Sequence, residues 1–557
     1  MTILNKIKQS KLYNYLFLFS GFAAITLLLA RVTEANYPGF RLILNVFASV
    51  ATLCFVTFKY NFLGFLQNVK NKKIIYILSG ISTITAILYS SPRAYSFLTY
   101  ELQNFTNLST DLIGLFLVLA ISLLALISVL AMQIFFIWSY NILLKLAEKI
   151  YANLCKSEKV FIIICCVLSV ICLTYIYNQT TVFYRPYNDS NGATFYGVLY
   201  SADSSLEVGG NSDSNISVGA EENDIRQPLF GVFALPFATL SLALSKILFF
   251  IPNSYPIILQ IIQILSLQIS FILLAKLLKL NKISHVLFLL LMLLRYPSFF
   301  FTLTLEQYIF PTFWLMVFIY AALSEGENQD EHVYFIAASG SLLTSSAFFP
   351  LLFINNKDKA FNLLSKVLLK ALAILIILGR FFILPHSVIT IPALLNNFGG
   401  SKISFTDKLL QFINFVASCI ITPATSVSLV NDRFKYGLSA VDTVNIIGVV
   451  LIALALLGFA LNYKNKLAQV CISWIGFSFV LLAIVGWGSK ENCMLLYTLY
   501  FSWAFVTLAV LAFERLFAKL NVVRYSLYSA FIVALLYVNL PGICDVISFG
   551  IKYYPAK

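Results

Sequence analysis

Apolar runs of membrane-spanning length follow one another along almost the whole chain. A transmembrane helix needs about 20 predominantly apolar residues, and the first such runs lie at 13–31, 41–58, 74–91, 111–139 and 160–177. Only 11% of the 557 residues are charged, against about 25% in soluble proteins. The runs are continuous instead of alternating, which excludes an outer-membrane barrel. We therefore predict an all-α fold, a polytopic transmembrane helical bundle with about 13–16 hydrophobic elements.

Lysine and arginine concentrate in short connections between these runs, within a formal net charge of +14. Loops of this kind lie on the cytoplasmic side of membrane proteins. The sequence thus predicts a shared cytoplasmic face for the connections at 70–73, 145–159, 276–282, 464–466 and 515–524. Membrane lipids are the partners that this charge implies, and no nucleic acid is needed to explain it. We expect a multi-pass protein of the cell membrane.

An acidic segment interrupts the apolar pattern at 178–228. It holds seven acids and two bases, and the alternation of spans places it outside the cytoplasm. Prolines punctuate the stretch that follows, and an odd number of crossings must precede the basic connection at 276–282. We therefore interpret 229–250 as a re-entrant or juxtamembrane element and 254–275 as a true crossing.

The catalytic candidates are acids at the predicted outer ends of spans, where ionisable groups are costly and mark functional sites. They are Asp203 in a small-residue turn, Asp224 shortly before Pro228, and Glu306 between two apolar runs. A carboxylate within hydrogen-bond reach can deprotonate an acceptor hydroxyl. Each acid also has an ordinary interpretation: Asp203 and Glu306 as solvated loop acids, and Asp224 as the cap of the helix that follows.

Basic and aromatic residues on the same side are candidates for substrate binding. An arginine at a helix start suits a lipid phosphate, and a Lys–Glu pair at the mouth of a span is placed to grip a phosphate or a sugar. A tryptophan between glycines fits either this site or plain anchoring at the membrane interface. The candidates are Arg226, Arg295, Arg380, Trp487, Lys490 and Glu491.

The order of these features resembles the GT-C superfamily, integral-membrane glycosyltransferases that use polyprenyl-phosphate-linked sugars. A span leads into a long outer loop bearing Asp203, and the loop closes with an acid, Arg226, a proline and an aromatic residue. Arg295 and Glu306 then flank the next outer turn, and a small-residue helix ends in a proline-broken segment at 340–350. The resemblance covers roughly 160–540. In this chain, however, four extra spans precede the loop, and the acidic doublet typical of its early part is absent.

The resemblance implies an inverting hexosyl- or pentosyltransferase of the cell envelope. The donor would be a polyprenyl-phosphate sugar, the acceptor a glycan or a lipid-linked molecule, and the site would face the extracytoplasmic side. A carboxylate would deprotonate the acceptor while Arg or Lys stabilises the departing lipid phosphate. Asp203 is the first choice of base, and Asp189, Asp224 and Glu306 stay open. Some members also hold a divalent cation, for which Mg or Mn would suit the acids present, although no diagnostic spacing occurs.

We predict two units, an accessory transmembrane bundle at 1–150 and a GT-C-like catalytic core at 151–557 that carries the 178–228 loop. Three other functions compete with the glycosyltransferase: a transporter or flippase of lipid-linked saccharides, a polysaccharide polymerase or ligase, and a scaffold. Transporters bind near the membrane midplane, often between repeats, whereas the acids here gather on the predicted outer side.

Overall fold

The computed structural model describes most of the chain beyond residue 110 and one helix before it. The described residues are 73–88, 111–184, 186–188, 194–196, 207–208, 210–211, 218–219, 226–324, 331–353, 364, 367–368, 370–371, 395–396, 399–430, 433–438, 444–489 and 493–556.

Helices make up the membrane-length elements, because a backbone in lipid must satisfy its own hydrogen bonds. Six described helices are long and apolar enough to cross a membrane, and the bent pair Lys282–Leu294 and Tyr296–Leu303 would make a seventh. These helices support the predicted polytopic helical membrane protein, while the predicted runs at 13–31 and 41–58 lie outside the described residues. The α-helices are α1 Lys73–Leu88, α2 Asp111–Asn153, α3 Lys156–Gln179, α4 Phe230–Ile247, α5 Ser254–Leu278, α6 Lys282–Leu294, α7 Tyr296–Leu303, α8 Ile309–Leu323, α9 Glu331–Ser341, α10 Phe405–Ser418, α11 Ile446–Leu461, α12 Lys466–Phe479, α13 Thr498–Leu516 and α14 Asn521–Tyr553. Three other helical segments are the 3₁₀ segments Leu343–Phe353 and Cys493–Tyr497 and the π-helical turn Val480–Ile484.

Short antiparallel strands lie in two connections, a feature that the sequence analysis did not predict. In the acidic segment, β1, β2 and β4 form one small sheet and β3 pairs with β5. The second connection holds a hairpin of β6 and β7, in which Thr425 pairs with Leu438 and Val430 with Arg433. The strands are β1 Pro186–Asn188, β2 Thr194–Tyr196, β3 Glu207–Val208, β4 Gly210–Asn211, β5 Val218–Gly219, β6 Thr425–Val430 and β7 Arg433–Leu438.

Two ends of the bundle are defined by contacts between α3 and α5. At one end, which we call the Lys276 face, Lys276 Nζ lies 3.2 Å from Glu158 Oε2 and donates to the Asn153 carbonyl at 2.6 Å. At the other end, the Tyr177 face, Asn253 Nδ2 donates to the Tyr177 carbonyl at 3.2 Å. The two helices therefore run antiparallel, so that both cross the bundle.

Four of the basic connections predicted to share a face do meet at the Lys276 face. Beside the contacts between 153–158 and Lys276, the Tyr525 hydroxyl bonds to Asn281 at 3.2 Å. Asn462 Nδ2 donates to the Leu511 carbonyl at 3.4 Å, which brings the 464–466 connection to the same end as 515–524. The charge pattern along the sequence therefore predicts the polarity of these helices correctly.

Helix α4 begins inside the bundle and runs toward the Tyr177 face. It forms a hairpin with α5, closed by a contact from Ser254 Oγ to the Ser245 carbonyl at 3.4 Å. With 18 residues against 25 in α5, its first residue lies about 10 Å short of the Lys276 face. This geometry fits the re-entrant element predicted at 229–250 better than a juxtamembrane one.

The described half of α2 packs directly onto α4. The Tyr140 hydroxyl donates to the Pro236 carbonyl at 3.1 Å, and the rings of Trp138 and Phe233 lie 6.5 Å apart. Helix α2 continues past the predicted apolar run at 111–139 as a single helix to Asn153. The predicted boundary at residue 150 thus falls within this helix, and an accessory role for 1–150 stays a prediction.

Helices α11 and α13 approach closely at a glycine. A Cβ atom at Gly458 would collide with the carbonyl oxygen of Leu508. Small residues at such crossings allow van der Waals packing between helices in lipid, where the hydrophobic effect contributes little to helix association.

Candidate functional site

The turn between α7 and α8, residues 304–308, lies at the Tyr177 face and is fixed by contacts with the end of α3. The Leu305 N–H donates to the Phe183 carbonyl at 2.8 Å, and the Tyr177 hydroxyl donates to the Leu303 carbonyl at 2.8 Å. Phe183 lies where the acidic segment begins. The turn is therefore held against the start of the acidic segment.

Helix α5 holds the same turn from the other side. Gln260 Nε2 donates to the carbonyls of Phe301 and Thr302 at 2.7 and 2.9 Å. These carbonyls belong to the last turn of α7, where the helix supplies no further donors. The Gln260 side chain thus takes the place of a helix cap and sets the position of the turn.

Glu306 lies buried in this turn. Its side chain is 2% exposed, and its Oε2 accepts from the Gln307 backbone N–H at 2.8 Å. The interpretation of Glu306 as a solvated loop acid is therefore wrong. Burying a carboxylate in an apolar bundle is costly, and this cost marks Glu306 as a functional candidate.

Gln307, the next residue, is fully buried, and neither atom of its side-chain amide has a hydrogen-bond partner in the described structure. Leaving a buried donor or acceptor unsatisfied costs about 1–3 kcal/mol. Such a side chain needs a polar partner that the described protein atoms do not supply, either a buried water or a ligand. Sequence reasoning missed Gln307 because it has no charge, although it directly follows a predicted candidate.

Trp487 is linked to the same turn by contacts between aromatic side chains. Trp487 Nε1 donates to the Tyr497 hydroxyl at 2.9 Å, and the Tyr497 ring packs edge-on against Tyr308 with centroids 5.9 Å apart. Gly486 and Gly488 flank the tryptophan with φ of 75° and 78°, which favour glycine. The glycines therefore form the tight turn that directs the indole to this cluster.

Arg226 lies deeper in the bundle than the sequence analysis expected. Its carbonyl accepts from the Leu343 N–H at 2.8 Å, and the Leu229 N–H donates to the Gly340 carbonyl at 2.8 Å. These contacts place the start of α4 beside the end of α9. The expected helix start at the outer mouth is thus wrong, because α4 begins inside the bundle.

The expectation that Asp224 caps this helix is also wrong. Helix α4 begins at Phe230, and Leu229 occupies the N-cap position. Asp224 lies five residues before that position, too far for a cap, which bonds to the second or third helical N–H.

Arg295 lies at the bend between α6 and α7, fully buried. Its Nη1 donates to Ser502 Oγ at 2.7 Å, its Nε donates to the Met292 carbonyl at 3.3 Å, and the guanidinium stands over the Phe271 ring at 5.6 Å. The eight residues of α7 separate it from the 304–308 turn by about 12 Å. These contacts account for the arginine as part of the packed bend and do not bring it to Glu306.

The remaining candidates lie outside the described residues, so the structure places neither their side chains nor their neighbours. They are Asp203, Asp224, Arg380, Lys490 and Glu491. Across the described ranges, no three His, Cys, Asp or Glu side chains are grouped to hold a metal ion.

Comparison with protein-family models, with curated proteins and with solved structures finds no match to this chain. The site must be interpreted from its own geometry: a buried carboxylate beside an unpartnered amide, fixed at the Tyr177 face and approached by an aromatic cluster.

Proposed function

We propose that this chain is a membrane glycosyltransferase that moves a sugar from a polyprenyl-phosphate donor to an acceptor of the cell envelope. The observation that carries the proposal is Glu306, a buried carboxylate held where the acidic segment meets the bundle. Its position at the Tyr177 face, opposite the basic connections, suits chemistry on the extracytoplasmic side.

Glu306 is the described group suited to proton transfer in this reaction. The carboxylate takes the proton of an acceptor hydroxyl, and that oxygen forms a bond to the anomeric carbon of the donor sugar. The bond between this carbon and the phosphate oxygen breaks, and the lipid phosphate leaves with the electron pair. Attack opposite the leaving group inverts the anomeric centre.

The surroundings of Glu306 support this role in two ways. The Gln307 N–H bonds to one carboxylate oxygen, which fixes the position of the side chain in the turn. The Trp487, Tyr497 and Tyr308 cluster offers apolar ring faces beside the turn, and such faces suit a sugar ring or a lipid chain. Asp203 and Asp224 stay predictions for further carboxylates of the acidic segment.

A reconstitution experiment tests the proposal. The protein in lipid nanodiscs is incubated with a radiolabelled polyprenyl-phosphate hexose, or the pentose equivalent, and a short glycan acceptor. We expect loss of the sugar from the lipid, by transfer to the glycan or slowly to water. An intact donor after exhaustive incubation with every sugar and acceptor tried would oppose the enzyme.

A transporter of saccharides is the second candidate, and two observations favour it. A potential span is interrupted at Arg295 with a bend of 60°, and discontinuous helices line the binding sites of many transporters. Deeper in the bundle, Gln227 Oε1, Trp314 Nε1 and Ser341 Oγ are buried, with no hydrogen-bond partner in the described structure. Uptake of labelled sugar into proteoliposomes without any chemical change would identify this function.

A further inference from the structure

Three buried glutamines lie close to the contact between α5 and the 304–308 turn, two on α5 and one in the turn itself. Gln260, Gln263 and Gln307 are each fully buried. Within the described structure, Gln260 Oε1 and both amide atoms of Gln263 and of Gln307 have no hydrogen-bond partner. A polar atom buried in this way is rarely left unpaired in a folded protein.

The first two glutamines share one face of α5. They are three residues apart, which puts them about 4.5 Å apart along the helix and about 60° apart around it. The Gln260 amide reaches the last turn of α7, so this face of α5 points toward the elements that carry the turn. Gln263 lies nearly one helical turn further into the bundle than Gln260.

Gln307 lies at the height of Gln263, in the turn that leads into the neighbouring helix α8. Helices α5 and α8 run in the same direction, because Lys276 and Tyr320 near their ends line one cavity of about 20 Å³. Gln263 comes thirteen residues before Lys276, and Gln307 comes thirteen residues before Tyr320. Both therefore lie about 20 Å from the Lys276 face.

The chemistry of these groups favours an uncharged ligand rich in hydroxyls. The unpartnered atoms are three amide oxygens, which accept, and two amide nitrogens, each of which donates twice. An anion would meet the three oxygens and the Glu306 carboxylate, and a cation would meet the amide N–H groups. A hydroxyl both donates and accepts, so it can bond to either kind of atom.

We propose that Gln260, Gln263 and Gln307 bind the hydroxyl groups of a sugar ring and hold that ring next to Glu306. Resting on the proposed function, this inference assigns the three amides to the sugar of the donor, as binding residues that take no part in proton transfer. Recognition of the sugar itself, and not of the lipid phosphate, is thus placed between α5 and the turn.

Gln268 provides a matched control on the same helix. It is also buried and its Nε2 also has no partner in the described structure. Its Oε1, however, faces Cys166 of α3 at 3.9 Å, away from the turn. Loss of the Gln268 amide should therefore leave sugar binding unchanged.

The experiment compares Gln263→Met, Gln307→Met and Gln268→Met, since methionine keeps the length and flexibility of glutamine without its amide. Binding is measured by thermophoresis in nanodiscs, with a synthetic polyprenyl-phosphate hexose and the same polyprenyl phosphate without sugar. We expect the wild type to prefer the sugar-bearing lipid, and Gln263→Met and Gln307→Met to lose that preference by about tenfold. Gln268→Met should keep it. Gln263→Leu, which also removes the amide, replaces Gln263→Met if that variant does not fold, with the same expected loss.

A second arm separates this inference from the glycosyltransferase proposal. Free hexoses and pentoses are added in excess, and thermal unfolding is followed by tryptophan fluorescence. If a free sugar stabilises the wild type but not Gln263→Met while no lipid-linked sugar binds, the sugar site stands and the glycosyltransferase is refuted. If no sugar in either form binds the wild type, or if Gln263→Met and Gln307→Met bind as the wild type does, the inference is overturned and the amides hold buried water only.

Discussion

The side chain of Asn539 connects three parts of the bundle, and its replacement should cost far more than that of a typical residue of α14. It is fully buried. Its Nδ2 donates to the carbonyls of Leu294 and Ile420 at 2.9 Å each, and its Oδ1 accepts from the Thr422 N–H at 2.8 Å. Leu294 directly precedes the bend at Arg295, so Asn539 fixes the point from which α7 carries the 304–308 turn.

The magnitude for Asn539→Leu follows from the groups left behind. The Ile420 carbonyl keeps a second bond, from the Tyr296 N–H at 3.0 Å. The Leu294 carbonyl and the Thr422 N–H lose the bonds described above. At about 1–3 kcal/mol for each unsatisfied buried group, unfolding should become easier by about 2–6 kcal/mol.

Unfolding by SDS in mixed micelles, followed by circular dichroism, measures this loss for Asn539→Leu. The control is Tyr537→Leu, a change on the same helix at a side chain that is 83% exposed, for which we expect less than about 0.5 kcal/mol. A loss below about 1 kcal/mol for Asn539→Leu would refute the reasoning, because it would mean that the two backbone groups find other partners.

Two further predictions use the same unfolding assay or the binding assay with polyprenyl phosphate. Gly458→Ala should destabilise the protein by about 1–3 kcal/mol, since the new methyl group collides with Leu508. At Gly476 nothing lies within 4 Å of a new methyl group, so Gly476→Ala should instead stabilise the helix by up to about 1 kcal/mol. A loss at both glycines would contradict the packing argument. Arg295→Met should keep the affinity for polyprenyl phosphate within about threefold, because the guanidinium already bonds to Ser502 and to a backbone carbonyl. A tenfold loss of affinity would show instead that Arg295 binds the phosphate.

Hydropathy and charge predict most of the bundle because they record the two dominant costs of placing a chain in a membrane. The apolar run at 160–177 becomes α3, and the basic connections define one face as expected. The same measures do not locate a bend: the run at 284–301 is mostly apolar and long enough for one span, yet the structure divides it at Arg295. Pro297 is a local helix-breaking signal beside the bend. The bond from Asn539 to the Leu294 carbonyl, 245 residues away along the chain, is not visible in any local pattern.

The start of α4 shows the limit of local capping rules. Asp224 followed by Pro228 is a plausible helix start in sequence, but α4 begins at Phe230. The Leu229 N–H is satisfied by the Gly340 carbonyl of α9, a partner that becomes available only in the folded bundle.

The candidate site was predicted in part. Glu306 stands out in sequence because it is a charge between apolar runs, and the structure buries it. Gln263 and Gln307 carry no charge and sit in or beside apolar segments, so only their unpartnered amides in the folded protein identify them. Arg295 has the positive charge that suits a phosphate ligand, but its hydrogen bonds are to other residues of the protein.

Transfer of a labelled sugar from a polyprenyl-phosphate donor by Glu306→Gln tests the central claim most directly. Glutamine keeps an oxygen to accept the Gln307 N–H but cannot take a proton, so the fold should persist. We predict a fall in the single-turnover rate of about 10²–10⁴-fold. Asp407→Asn changes an exposed acid at the start of α10 and should leave the rate unchanged. If Glu306→Gln keeps more than about a tenth of the wild-type rate, Glu306 is not the base and the account of this site is contradicted.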